Sequence, residues 1–214
     1  MSQAELEARI AALEARVLEL EEDRAIRDLL ARYGFTADTC QDEAFVELYT
    51  TDGRMKVAAN ANARRNFGVD EWIEYEGHDG IRAFITHPKG HHSPALYGKS
   101  LHLQGNNLVT YVHGDEAAAS GYQVAIAVDE DGARLVSAGN NEWQLRKVDG
   151  QWRIKERRGA YLGDDKFTTN LVIEDSLRPK KAKKRVAAKK KAPVRKKAAA
   201  KKAVAKRARA KKQA

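Results

Sequence analysis

The sequence has a single cysteine, Cys40, in 214 residues. No internal disulfide can form, and the chain suits a reducing compartment. No apolar run approaches the roughly 18 residues of a membrane span. The opening stretch, MSQAELEARIAALEARVLELEEDR, is charged throughout and has no signal-peptide h-region, so a cytoplasmic protein is expected. No glycine-rich phosphate or dinucleotide fingerprint occurs, and GHDG and VDG read as turns. Acidic residues are missing from one end: from Arg178 onward there are 19 Lys/Arg and no Asp or Glu. The other 20 Lys/Arg share residues 1–177 with all 30 Asp/Glu, so an acidic body of charge −10 carries a basic tail.

Three segments follow. Residues 1–21 read as a helical extension, in which Leu6, Ile10, Leu13, Val17 and Leu20 are spaced 4, 3, 4, 3. That is an a/d seam, which either packs on the chain's own domain or drives self-association. Residues 22–177 read as one α+β domain, long enough for its own core. The apolar stripe shifts there to Ile26, Leu29, Leu30 and Tyr33. A short helix is expected over 42–49 with Asp42 as N-cap, a strand over 53–59, and a helix over 77–88 ended by Pro88. Four long strands follow, at 100–112, 117–128, 133–148 and 151–162. Their turns place Gly beside Asp, as hairpins do. Residues 60–77 show no regular pattern. Residues 178–214 have almost no large apolar side chain and are expected to be disordered when free.

Two features suggest chemistry. Leu30, Tyr33, Gly34 and Ala37 share a helix face, with Asp38 on its border. Asp38 is either a half-solvated helix end or a carboxylate turned into a pocket beside the space left by Gly34. On the first long strand, Ser100, His102, Gln104 and Asn106 alternate onto one face; Asn141 lies on the third strand. Such polar faces line a cavity, or else they are the wet side of an antiparallel sheet. His87, His91 and His92 crowd THPKGHHSP, but Pro88 and Gly90 break helical ligand spacing. A pocket-lid loop is expected there rather than a metal site. Cys40 has nothing beside it that marks an activated thiol.

The ordered segments EDRAIRDLLARYGFTAD, DEAFVELYTTDGRM, GHDGIRAFI, SLHLQGNNLVTYVHGDEAAASGY and NNEWQLRKVDGQWRI resemble the SnoaL-like, scytalone-dehydratase-like branch of the nuclear transport factor 2-like superfamily, over roughly residues 22–162. The resemblance implies a conical, curved antiparallel sheet closed by N-terminal helices around a pocket. It implies a cofactor-independent dehydratase, isomerase or cyclase with a His–Asp pair. His102 would be the base, Asp38 its partner and Tyr33 a polarising phenol. Tyr49, Asn141 and Arg146 would contact substrate. Neither metal nor organic cofactor is called for, and a dimer or trimer is expected. One departure is plain: the strand after His102, SGYQVAIAV, offers no second acid or base before Asp129. The tail resembles the Lys/Ala-rich tails of actinobacterial nucleoid proteins. A polycation of this kind binds nucleic acid without sequence choice and with strong salt dependence. That leaves a rival reading, a non-catalytic binding or assembly module delivered to nucleic acid.

Overall fold

A computed structural model describes residues 1–59, 68, 71–164 and 166–167, with the backbone alone at 106–110. The basic tail, most of the 60–70 stretch and the side chain of Asn106 lie outside the described residues. Among the described residues nine elements follow in order: α1 (Gln3–Asp38), α2 (Asp42–Glu47), β1 (Tyr49–Ala58), β2 (Trp72–Glu76), α3 (Gly77–Ile85), β3 (Ser100–His113), β4 (Glu116–Asp129), β5 (Gly132–Val148) and β6 (Gln151–Tyr161).

The 36-residue α1 starts at a capping box: Ser2 Oγ accepts from the Glu5 amide while the Glu5 carboxylate accepts from the Ser2 amide. The expected boundary near residue 21 is no break in the helix. It is where α1 meets the body. Every residue from Met1 to Glu21 is exposed, whereas Ile26, Leu30 and Tyr33 are buried. Glu22 clasps the helix to the β5–β6 end, accepting from Lys147 Nζ and Trp152 Nε1, both at 2.5 Å. Partial burial works against the charge on Glu22, but these two donors prevail and hold its carboxyl below the usual range.

α1 ends in a Schellman motif. Cys40 adopts a left-handed conformation (φ 56°), its N–H bonds Ala37 O, and the Gln41 N–H bonds Thr36 O. Gln41, not Asp42, is the N-cap of α2, without a side-chain cap bond. The Asp42 carboxylate instead meets His92 Nε2 at 3.1 Å.

The sheet runs β2-β1-β6-β5-β4-β3. It is mixed rather than wholly antiparallel, because β1 pairs parallel with β6. β1 and β6 are far apart in sequence and β1 is laid beside β6 from the other end of the body, so no hairpin turn dictates their direction. The β5–β6 turn at Asp149-Gly150 has both residues at positive φ (51° and 76°), the geometry of a type I′ hairpin. Helices α1, α2 and α3 pack Leu30, Tyr33, Phe45, Val46, Ile81 and Ile85 against Met55, Trp143, Leu145 and Ile154 on the inner face. Burial of each such side chain stabilises by roughly 1.5–3 kcal/mol. The alternation on β3 is inverted relative to a core strand: Leu101 and Leu103 are about half exposed. His102 and Gln104 turn inward.

Candidate active site

Asp38 is the last residue of α1, and His102 lies near the start of edge strand β3. What lets them meet is Gly34, one turn earlier. A Cβ there would stand 2.7 Å from the His102 carbonyl oxygen. The room that Gly34 provides is taken by the β3 backbone, not by a ligand. With helix and strand in contact, the Asp38 carboxylate grips His102 twice. Oδ1 is 2.5 Å from ring Nδ1 and Oδ2 accepts from the His102 backbone N–H at 2.7 Å. Both side chains are nearly buried, 11% and 12% exposed. An ionised carboxylate only accepts, so Nδ1 carries the proton and Nε2 keeps its lone pair when the ring is neutral. Among the described residues nothing hydrogen-bonds Nε2.

A second cluster sits on the next three strands. Arg157 of β6 is 4% exposed, yet no carboxylate among the described residues pairs with it. Its Nε and Nη2 donate to Asn141 Oδ1 at 3.1 and 2.8 Å, and Nη2 donates to Gln123 Oε1 at 3.1 Å. Asn141 Nδ2 donates onward to Gln104 Oε1 at 2.9 Å. The guanidinium lies over the rings of Tyr33 (5.4 Å) and Trp143 (5.9 Å). Gly159 is the clearance for this pair, since a Cβ there would be 2.6 Å from Arg157 Nη2. Neutral amide oxygens solvate the cation without cancelling it, so its field is available to an incoming negative charge.

Arg157 is the residue that sequence patterning missed, and a bulge explains why. Trp152 and Ile154 face inward, so strict alternation would put Glu156 inside and Arg157 outside. The β5–β6 pairing slips between Gln144 and Leu145: Leu145 pairs Ile154, and Gln144 pairs Glu156. Lys155 is the extra residue, and beyond it the inward set becomes Arg157 and Gly159.

The two clusters adjoin through His91 and Tyr33. The His91 ring lies 4.9 Å from that of His102 and 5.3 Å from Phe84. Burial, helped by the nearby charges of His102, Arg157 and His92, pushes its pKa down to about 3. It therefore stays neutral. The other two loop histidines are engaged elsewhere: His87 Nδ1 accepts from the Lys89 amide, and His92 meets Asp42. Among the described residues no group of three metal-ligand side chains occurs.

Of the remaining expected residues, Tyr33 packs edge-on to Trp143 at 4.9 Å. Burial pushes its phenol up, against the lowering pull of Arg157, so it stays protonated and can donate. Tyr49 opens β1 rather than ending α2. Its phenol is also pushed well up by burial, and its oxygen has no hydrogen-bond partner of ordinary geometry. Buried Gln104 Nε2 and Trp143 Nε1 are likewise unpaired. These orphaned donors lie around Arg157 and Asn141, where a polar ligand group would satisfy them. Arg146 does not join the site. It alternates onto the face opposite Asn141 and Trp143 and pairs with exposed Asp52 at 3.5 Å. Asp129 ends β4 beside the β4–β5 turn, accepting from Arg134 at 2.8 Å.

The model of the SnoaL-like domain matches residues 18–158. An NTF2-like protein with a cystatin-like fold from Novosphingobium aromaticivorans is similar in structure, with 29% identity and a TM-score of 0.61 over 75% of this chain and 96% of that one. A single-residue variant of Rv3472 from Mycobacterium tuberculosis, a protein of unknown function, shares the fold at 23% identity and a TM-score of 0.56, covering 73% and 80%. So does a candidate scytalone dehydratase from N. aromaticivorans at 23% identity and a TM-score of 0.52, covering 67% and 86%. No curated protein matches the sequence. Among the described residues no helix is long and apolar enough to cross a membrane. An α+β mixed sheet closed by N-terminal helices, matched by the family model over most of its length, makes this chain a member of the SnoaL-like domain family.

Proposed function

We propose that the protein is a cofactor-independent lyase or isomerase that removes a proton from carbon beside a carbonyl. The observation that carries this reading is the doubly held His102–Asp38 pair, with Nε2 unpartnered, next to a buried guanidinium that has no counter-ion among the described residues. In the reaction, Nε2 takes the proton and the C–H pair flows toward the carbonyl oxygen. The resulting enolate faces Arg157 and, through a hydrogen bond, the Tyr33 phenol. Collapse of the enolate expels a leaving group from the next carbon, giving a lyase, or returns the proton to another carbon, giving an isomerase. Asp38 holds the tautomer and stabilises the imidazolium without itself accepting the proton. A positioned base of this kind contributes typically about 10²–10⁴-fold.

The test needs no known substrate. A panel of small ketones and β-hydroxy carbonyl compounds is incubated in D₂O and α-proton exchange is followed by NMR. The wild-type chain is expected to promote exchange with at least one compound. His102→Gln should lower that rate by about 100-fold or more. Arg157→Met should abolish binding of the matching carboxylate or phenolate analogue. Equal exchange by wild type and His102→Gln would remove His102 from the mechanism.

A second reading rests on the 19 basic and no acidic residues from Arg178 onward. In it the domain is a ligand-binding module that the tail holds on nucleic acid. A chain ending at residue 177 should lose DNA affinity and its steep salt dependence; unchanged affinity refutes the delivery role.

A further inference from the structure

The first 21 residues of the chain are exposed throughout, yet they carry an apolar seam. Leu6, Ile10, Leu13, Val17 and Leu20 are 39–59% exposed in an unbroken helix. At about 100° per residue, their stripe points roughly 160° away from the face that Ile26, Leu29, Leu30, Tyr33 and Ala37 bury in the body. A helix laid on this stripe therefore lies on the far side of α1 from the domain. The seam is also bounded. The next a and d positions are Arg24 and Arg27, where the apolar run stops and α1 begins to enter the body.

The flanking charges say what fits. With Ile10 and Val17 at a and the three leucines at d, the e positions are Glu7, Glu14 and Glu21. The g positions include Arg9 and Arg16. In a parallel pair of identical helices, each g residue meets the e residue five further along the other chain. That sets Arg9 against Glu14 and Arg16 against Glu21, on both sides of the seam. In an antiparallel pair, g meets g and e meets e, which opposes Arg to Arg and Glu to Glu. β-Branched residues at a with Leu at d favour two strands. Arg16 also reaches Glu19 of its own helix at 2.6 Å, but that pair is 60–65% exposed and competes weakly. We infer that residues 3–23 form a parallel, in-register two-stranded coiled coil with a second copy of this chain, about 30 Å long, with the two domains at the same end.

Two measurements on the full chain test it. In a Cys40→Ser background, Leu6→Cys and Leu20→Cys should each oxidise to disulfide-linked dimers, while Ala15→Cys on the outer face should not. A contact through the sheet would link none of these. Next, the exposed pairs Arg9→Glu/Arg16→Glu and Glu14→Arg/Glu21→Arg are made separately and sedimented. Each alone should weaken self-association by about thirtyfold or more, from four attractive pairs turned repulsive. Mixing the two should restore a heterodimer. Because these side chains are solvent-exposed, neither variant disturbs the folded body, which circular dichroism checks. Failure of Leu6→Cys and Leu20→Cys to cross-link, or a charge-reversed chain that sediments like wild type, overturns the inference.

Discussion

Gly34→Ala separates a helix-propensity view of α1 from a tertiary one. In an ordinary helix interior the change stabilises by about 0.5–1 kcal/mol, because glycine loses more backbone freedom on folding. Here the added Cβ would stand 2.7 Å from the His102 carbonyl oxygen, where ordinary contact begins near 3.4 Å. Helix and strand must separate by about 0.7 Å, and neither atom can rotate aside because the obstacle is backbone. Overpacking of this kind costs about 1–3 kcal/mol, so the net change is a loss of about 1 kcal/mol. The same displacement acts on the dyad, because the obstructing carbonyl and the N–H that Asp38 holds at 2.7 Å belong to one residue. Lengthened by about 0.7 Å, that bond falls outside hydrogen-bonding range. Urea unfolding followed by far-UV circular dichroism gives the stability change. The downfield proton signal of His102 Nδ1–H, which should broaden or vanish, reports the dyad. A variant that unfolds at higher urea with the signal intact refutes the close approach of α1 and β3.

Three further outcomes follow from the geometry. Cys40→Gly should raise stability by up to about 1 kcal/mol in urea melts, since glycine relieves the left-handed strain at the residue just past the C-cap of α1. His91 is held neutral with its pKa at about 3, below that of the unfolded chain, so the unfolded state binds the extra proton as pH falls. Its contribution is intact above about pH 6.5 and is lost between there and pH 3, at up to about 1.4 kcal/mol per pH unit; His91→Gln should flatten that part of the urea-midpoint profile, and an unchanged slope would refute the enclosed ring. Asp38→Asn should leave the fold in place by circular dichroism but lower any His102-dependent exchange by about 100-fold or more, because an amide can present N–H to Nδ1 and select the wrong tautomer; exchange at the wild-type rate would show that the carboxylate is dispensable.

Much of the architecture is written in local pattern. The 4-3-4-3 stripe, the later stripe at Ile26–Tyr33 and the Asp-Gly turns between long strands are periodic or steric signals, and the helices and the β3–β6 hairpins follow them within about three residues, whereas β2 (Trp72–Glu76) lies in the stretch where no regular pattern was legible. The Asp38 and His102 positions were legible through alternation and through the ordered resemblance to SnoaL-like proteins, since each lies on an inward-facing position of a regular element. The parallel β1–β6 pairing was not, because it joins strands about 100 residues apart. Arg146 looked well placed only because its sequence neighbourhood did. Arg157 was hidden because one unpaired residue, Lys155, reverses the inward and outward sets of β6, and nothing in KERRG announces a bulge.

The primary sequence by itself determines a helical extension, an α+β body, a basic tail and the chemical types that face inward from regular elements. These depend on spacing along one element, which any reader of the chain can count. Tertiary structure alone decides which inward residues share a site. It brings His91 from a loop over His102, fills the space above Gly34 with a strand, and leaves Arg157 buried among amides without a carboxylate from the described residues. Those outcomes depend on how separate elements close on one another, and a bulge or a clearance of one Cβ is enough to change them.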